Sequence, residues 1–121
     1  MILIDTSVWI DHLRSQSPAF ESIDLSEVIT HRFVIGELAC GMFRQRRNVL
    51  ELLAGLPEAV VATHDEVMLF IEKHRLMGTG ISYIDAHLLA AASLTKDALL
   101  WTHDKHLAAA AAHLRLGLTR H

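Results

Sequence analysis

Four acidic side chains stand out for where they fall along the chain: Asp5, Glu37, Asp85 and Asp104. Asp5 ends the apolar run Ile2-Leu3-Ile4 and is followed by Thr6 and Ser7, residue types that favour a helix start. Asp104 repeats that setting, because the apolar run Leu99-Leu100-Trp101 passes through Thr102-His103 into Asp104 and a helical segment. Asp85 falls in the first turn of a segment opened by Ser82, and Glu37 lies among Val34, Ile35, Leu38 and Ala39. An acid inside an apolar segment is costly unless it is paired or bound to a cation. Clustered carboxylates without a matching set of histidines suit hard divalent cations such as Mg²⁺ and Mn²⁺, which prefer carboxylate and water oxygens. Such ions hold a phosphodiester, activate a water and stabilise the leaving oxygen. Without the cation, mutual repulsion raises some of the carboxyl pKa values, so metal affinity is expected to fall at low pH.

Each acid also has a purely structural explanation. Ser82-Tyr83-Ile84-Asp85 has capping-box spacing, and a carboxylate near a helix N-terminus gains ~0.5 kcal/mol from the helix dipole. Asp5 and Asp104 could serve as caps at turns, and Glu37 could be solvated at a helix edge. Taken singly these readings compete evenly with function; taken together they compete less well.

The elements that would position these acids follow from the hydrophobic pattern. Ile2 to Ile4 suits a strand buried on both faces, as in a parallel sheet covered by helices, and ligand crevices in such sheets lie outside the carboxyl ends of the strands. Helices are expected over Val8–Leu13, Ala19–Ile23, Phe33–Phe43 and Val49–Leu56, then from Thr63 or Asp65 to Leu76, and over Tyr83–Leu94 and Leu107–His113. Strands are expected at Glu27–Thr30, Ala59–Ala62, Ala98–Trp101 and, at an edge, Leu114–Leu118, with a loop at Arg14–Pro18. This alternation predicts an α/β fold: a three-layer α/β/α arrangement around a central, mainly parallel sheet of four to five strands, as one domain over residues 1–121.

Composition narrows the function. Hydrophobic residues make up 51% of the 121 residues and the mean hydropathy is +0.29, which predicts a well-filled core plus some apolar surface for a partner. No segment has the roughly 18 uninterrupted apolar residues of a membrane span, and the N-terminus lacks a basic leader region, so a cytoplasmic protein is expected. The lone Cys40 fits a reducing compartment and is expected in the core. A net charge of −3 argues against nucleic-acid binding by bulk charge. Any such role needs a cation or a local basic patch. Arg44, Arg46 and Arg47 form the dense basic cluster, either a solvated turn or a grip on RNA phosphates. His103 and His106 have the spacing of a metal pair but lack a third ligand for tetrahedral zinc. Trp9 and Trp101 sit in apolar runs and read as core or dimer packing.

The segments Ile2-Leu3-Ile4-Asp5-Thr6-Ser7-Val8-Trp9-Ile10, Ile35-Gly36-Glu37-Leu38, Ser82-Tyr83-Ile84-Asp85-Ala86-His87-Leu88-Leu89-Ala90-Ala91-Ala92 and Leu100-Trp101-Thr102-His103-Asp104-Lys105-His106-Leu107 occur in this order. In them the chain resembles the PIN-domain ribonucleases, in particular the VapC-type toxins of bacterial toxin–antitoxin pairs. The resemblance implies an endoribonuclease using Mg²⁺ or Mn²⁺. Asp5 and Asp85 would be direct metal ligands, and Glu37 and Asp104 would complete the acidic pocket as ligand, water-holder or general base. Thr6, with Ser7, would position a water. A homodimer, an RNA substrate and a cognate antitoxin whose tail covers the pocket are implied as well. One departure is His106, which stands where the family often has another acid and leaves open whether one ion or two are held. It also sustains an alternative, a catalytically inactive PIN-like module that binds RNA or a partner. A haloacid-dehalogenase-type site would need a second aspartate that Asp5-Thr6-Ser7 lacks.

Overall fold

In the computed structural model, which describes residues 1–15 and 18–119, strand β1 (Ile2–Ile4) lies between β2 (Val28–Ile29) and β3 (Leu99–Trp101). Both neighbours run parallel to β1, with Ile2 opposite Val28 and Leu99, and Leu3 opposite Ile29 and Leu100. Every residue of β1 is buried, as expected of a central strand covered on both faces. The Asp5 N–H donates to the Trp101 carbonyl at 2.9 Å, so the ladder carries Asp5 to the carboxyl edge of the sheet.

Beyond β2 and β3 the sheet continues by one residue on each side, through parallel bridges Thr30–Glu58 and Leu100–Gly117. The segments expected as strands at Ala59–Ala62 and Leu114–Leu118 therefore pair only at one point each. The first leaves the ladder because the Val60 N–H turns to the Thr95 hydroxyl at 2.9 Å. The second makes only the two hydrogen bonds around Leu100, from its N–H to the Leu116 carbonyl and from the Leu118 N–H to its own carbonyl. Strand β2 is shorter than expected because Leu25–Glu27 forms a 3₁₀ turn, capped by the Asp24 carboxylate on the Ser26 N–H.

Parallel strands require crossovers, and helices supply them. Helix α1 (Thr6–Ser15) begins two residues before the expected Val8, because the Asp5 carbonyl accepts the Val8 N–H at 3.1 Å. Thr6 and Ser7 are thus inside its first turn rather than before it. The expected loop Arg14–Pro18 is shortened, since Arg14 and Ser15 end α1 and α2 (Pro18–Glu21) starts at Pro18; Gln16 and Ser17, like Arg120 and His121, lie outside the described residues. Helix α3 (Arg32–Ala39) stops short of Phe43, since the Arg46 guanidinium caps its end on the Ala39 and Gly41 carbonyls at 2.5 and 3.2 Å. Then follow α4 (Arg46–Ala54), α5 (His64–His74), α6 (Tyr83–Leu94) and α7 (Lys105–His113). Helix α6 has the expected bounds, and α7 begins earlier than Leu107 because Asp104 caps it.

Leu3, Ile4, Val8, Leu88, Leu89, Leu100, Trp101 and Leu107 form the core. Trp9 and Trp101 belong to it, with Phe20 packed against both at ring-centre distances of 4.8 and 6.0 Å. Cys40, expected inside, is exposed, because α3 ends at Ala39 and carries the thiol past its last buried turn. Among the described residues no helix is long and apolar enough to cross a membrane.

Candidate active site

The strand ends β1 and β3 meet in a cluster of hydroxyls around Asp5. Its Oδ2 accepts hydrogen bonds from Ser7 Oγ and Thr102 Oγ1, both at 2.7 Å. Ser7 Oγ in turn accepts the His103 N–H at 3.0 Å, and Thr102 Oγ1 accepts the Asp104 N–H at 3.0 Å. Asp5 is only 6% exposed, so these donors replace water on an otherwise costly buried charge. Two of these contacts, Thr102 on Asp5 and the His103 N–H on Ser7, tie residues that follow β1 to residues that follow β3.

The other acids are held with the same economy. Asp104 caps α7 through Oδ1, which accepts the Leu107 N–H at 2.9 Å. Asp85 closes a reciprocal capping box, Oδ2 accepting the Ser82 N–H at 3.0 Å. Burial pushes the Asp85 carboxyl above the usual carboxylate range, and the negative charges of Asp5 and Asp104 push it the same way against the Ser82 N–H. Glu37 is exposed on α3, and its Oε1 accepts the Thr6 hydroxyl at 2.9 Å. Apolar neighbours in sequence left open whether this acid is desolvated or solvated; α3 turns Glu37 outward while Val34 and Leu38 face the core.

One pattern unites the four. Each carboxylate anchors one oxygen in a hydrogen bond to the protein, and its second oxygen has no hydrogen-bond partner among the described residues. A structural cap and a ligand are thus compatible duties of one side chain. The donor set is all hard oxygen, which fits Mg²⁺ or Mn²⁺ and not a soft metal. Among the described residues no three such side chains already converge on one point, as expected for like charges that repel without a cation between them.

Comparison with known proteins decides the family. The PIN domain model matches residues 2–113. The chain belongs to the PIN-domain family. Over 119 residues it is 46% identical to Ribonuclease VapC32 from two strains of Mycobacterium tuberculosis, covering 98% of this chain and 96% of that protein. It is therefore a VapC-type PIN domain. The crystal structure of FitAcB from Neisseria gonorrhoeae superposes with a TM-score of 0.63 at 23% identity, over 93% of this chain and 94% of that one, and has the same α/β fold.

Within this PIN domain the remaining residues singled out from sequence separate. Thr6 and Ser7, expected to position a water, hold carboxylates, Thr6 on Glu37 and Ser7 on Asp5. Of the basic cluster, Arg46 is engaged in capping α3, whereas Arg44 and Arg47 are exposed. His103 and His106 face different ways: His103 Nδ1 pairs with Asp11 Oδ2 at 2.6 Å, and the His106 ring lies against Gly80. That disposes of the zinc-pair reading. Thr102 was missed from sequence as a site residue, although a hydroxyl two residues before the second strand-end aspartate was a usable signal. Gly80 has a positive φ of 74° or more in common with Gly78, and a Cβ there would stand 2.8 Å from the His106 ring, so this turn needs glycine.

Proposed function

We propose that this chain is the toxin of a toxin–antitoxin pair, an endoribonuclease that hydrolyses RNA phosphodiester bonds with Mg²⁺ or Mn²⁺. The observation that carries the reading is the set of four carboxylates at the carboxyl edge of the sheet, each with one oxygen anchored and one free. Its family membership and its likeness to a protein named a ribonuclease support it. When bound, a divalent cation would neutralise phosphate charge and promote the attack of water on phosphorus.

Asp5 and Asp85 would hold the cation directly, and Asp104 and Glu37 would complete the pocket directly or through water. Ser7 and Thr102 keep Asp5 in one orientation, and Thr6 does the same for Glu37, which limits the reorganisation needed on binding. Arg44 and Arg47 offer exposed guanidinium groups to RNA phosphates. The partners in this reading are a cognate antitoxin and a second copy of the chain. Exposed Val60, Leu69 and Leu94 supply apolar surface for such contacts. The cytoplasm is the compartment in which it would act.

A second reading is favoured by His106, which stands where the family resemblance leads one to expect a further acid: a PIN domain that binds RNA or a partner without cleaving. Mapping of RNA 5′ ends after brief expression of wild type beside Asp5→Asn distinguishes the two. New ends confined to wild type support the ribonuclease and reveal its target; identical ends in both contradict it.

A further inference from the structure

The largest cavity described, about 620 Å³, lies between the C-terminal end of α5 and the face of α7. Its walls carry Lys73, His74, Arg75, Lys105, His106 and His113, and no lining residue is acidic. In a chain of net charge −3 this is a concentration of nitrogen donors that composition alone would not suggest. We infer that this cavity binds the phosphodiester backbone of RNA next to the bond being cleaved, an inference that rests on the ribonuclease reading.

Two of the cavity's residues occupy places that local structure disfavours. Arg75 closes α5 with φ 52° and ψ 50°, a left-handed conformation that glycine adopts without strain. Lys105 stands in the first turn of α7, where the positive end of the helix dipole repels a cation. The left-handed backbone of Arg75 and the N-terminal charge of Lys105 each run against their own element, even though the Arg75 charge suits the C-terminal end of α5, and both residues line one cavity. Local rules broken together at one place mark function more often than accident.

Position supplies the ligand. Lys105 and His106 directly follow Asp104, which caps α7 in the acidic site. The opposite wall includes Thr79, and the His106 ring packs on Gly80, two residues before Ser82, the partner of Asp85. The carboxylates and the basic cavity therefore share the first turn of α7 and the turn before α6. A phosphate chain held by a cation at Asp5 and Asp85 would find its neighbouring phosphates facing ammonium, guanidinium and imidazole donors. The acidic site needs a cation to accept RNA; the cavity does not.

The test uses the full chain carrying Asp5→Asn, so that RNA binds uncut, with a fluorescent single-stranded RNA in Mg²⁺ as the probe. Adding Lys73→Ala and Arg75→Gly should weaken binding at least tenfold. It should also flatten the dependence of log affinity on log salt by about 1.4, the loss of two single-strand phosphate contacts. Glycine suits the backbone at position 75, so the thermal midpoint should hold or rise, which separates lost contacts from lost fold. Lys105→Gln alone should weaken binding severalfold. Unchanged affinity and salt slope overturn the inference, as does weaker binding with an unchanged slope. Retained RNA affinity with lost binding of polyglutamate assigns the cavity to an acidic protein segment and overturns it too. If RNA binding responds to these substitutions but the wild-type chain cleaves no RNA in Mn²⁺, the ribonuclease reading fails and the cavity remains a phosphate site.

Discussion

Two sets of polar side chains are buried in this fold, and they are treated in opposite ways. Asp5 at the carboxyl edge of the sheet receives two hydroxyl donors on one oxygen, and those hydroxyls are themselves fixed by backbone N–H groups. His31 and His87, packed with Phe33 between α3 and α6, have His31 Nε2 and His87 Nδ1 buried without a hydrogen-bond partner among the described residues. A carboxylate that stays charged must be supplied with donors, whereas an imidazole can stay neutral and pack as a ring. Burial accordingly lowers the His31 pKa to about 4 and pushes His87 down as well. The contrast separates a carboxylate supplied with donors from imidazoles tolerated for packing and capping, since the other His31 nitrogen caps α3 on the Phe33 N–H.

The largest expected effect falls on the charged member. Asp5→Asn keeps size and hydrogen bonding but removes the charge, and RNA cleavage should drop on the order of a thousandfold, as expected for a ligand to an activating metal. Its unfolding free energy from urea titration should stay within about 1 kcal/mol of wild type, because a buried carboxylate is replaced by a neutral isostere. A similar loss of fold would make Asp5 a structural residue.

Removing a donor while leaving Asp5 in place should cost less. Thr102→Val takes one of the two hydroxyls from Oδ2 and should lower metal affinity or cleavage about 10–100-fold, the range for outer-shell partners. Titration of Mn²⁺ into this variant checks it; an unchanged affinity would mean that the hydroxyl cluster serves only the fold.

The histidine pair predicts a pH effect on stability instead. Above pH 6.5 His31 is neutral both folded and unfolded. As pH falls, the unfolded chain takes up the proton first, and the folded one resists until about 4. Stability is therefore present near neutrality and lost on acidification through that window, by roughly 2 kcal/mol between pH 7 and 5. His31→Asn retains an acceptor for the α3 cap, and its denaturation curves should show a shallower pH dependence than wild type. Equal slopes would assign the acid sensitivity elsewhere.

The smallest effect is expected at Glu37, an exposed carboxylate whose one hydrogen-bond partner is a side-chain hydroxyl rather than a helix N–H. Glu37→Gln should slow cleavage about tenfold, the low end for a group that acts on the cation through water, and leave stability unchanged, since solvent supports the group in either state. A loss as deep as that of Asp5→Asn would show that exposure does not grade the contribution of these acids.

These contrasts also show what the sequence could disclose. Asp5 and Asp104 were legible because an apolar run that ends on an acid marks a strand end, and helix α6 was legible because Ser82 and Asp85 announce its start. The three central strands lay where their apolar runs stood. The outer pairings were less legible, because a tertiary contact, the Thr95 hydroxyl on the Val60 N–H, drew the chain away from the ladder. Cys40 was misplaced in burial for a related reason: flanking hydrophobicity reports the average of a helix, not which face a residue turns to water, which left the burial of Glu37 open as well. The hydroxyl cluster and the basic cavity join residues distant in sequence, and no local pattern reveals such meetings.

The central claim is that charge held by Asp5 at the sheet edge serves a divalent cation in RNA cleavage. Calorimetric titration of Mn²⁺ into wild type and Asp5→Asn, with cleavage of a single-stranded RNA pool followed on the same preparations with and without excess EDTA, tests it most directly. The account predicts binding heat and cleavage in wild type alone, with cleavage abolished by EDTA. Cleavage that persists undiminished in EDTA, or in Asp5→Asn, would contradict it.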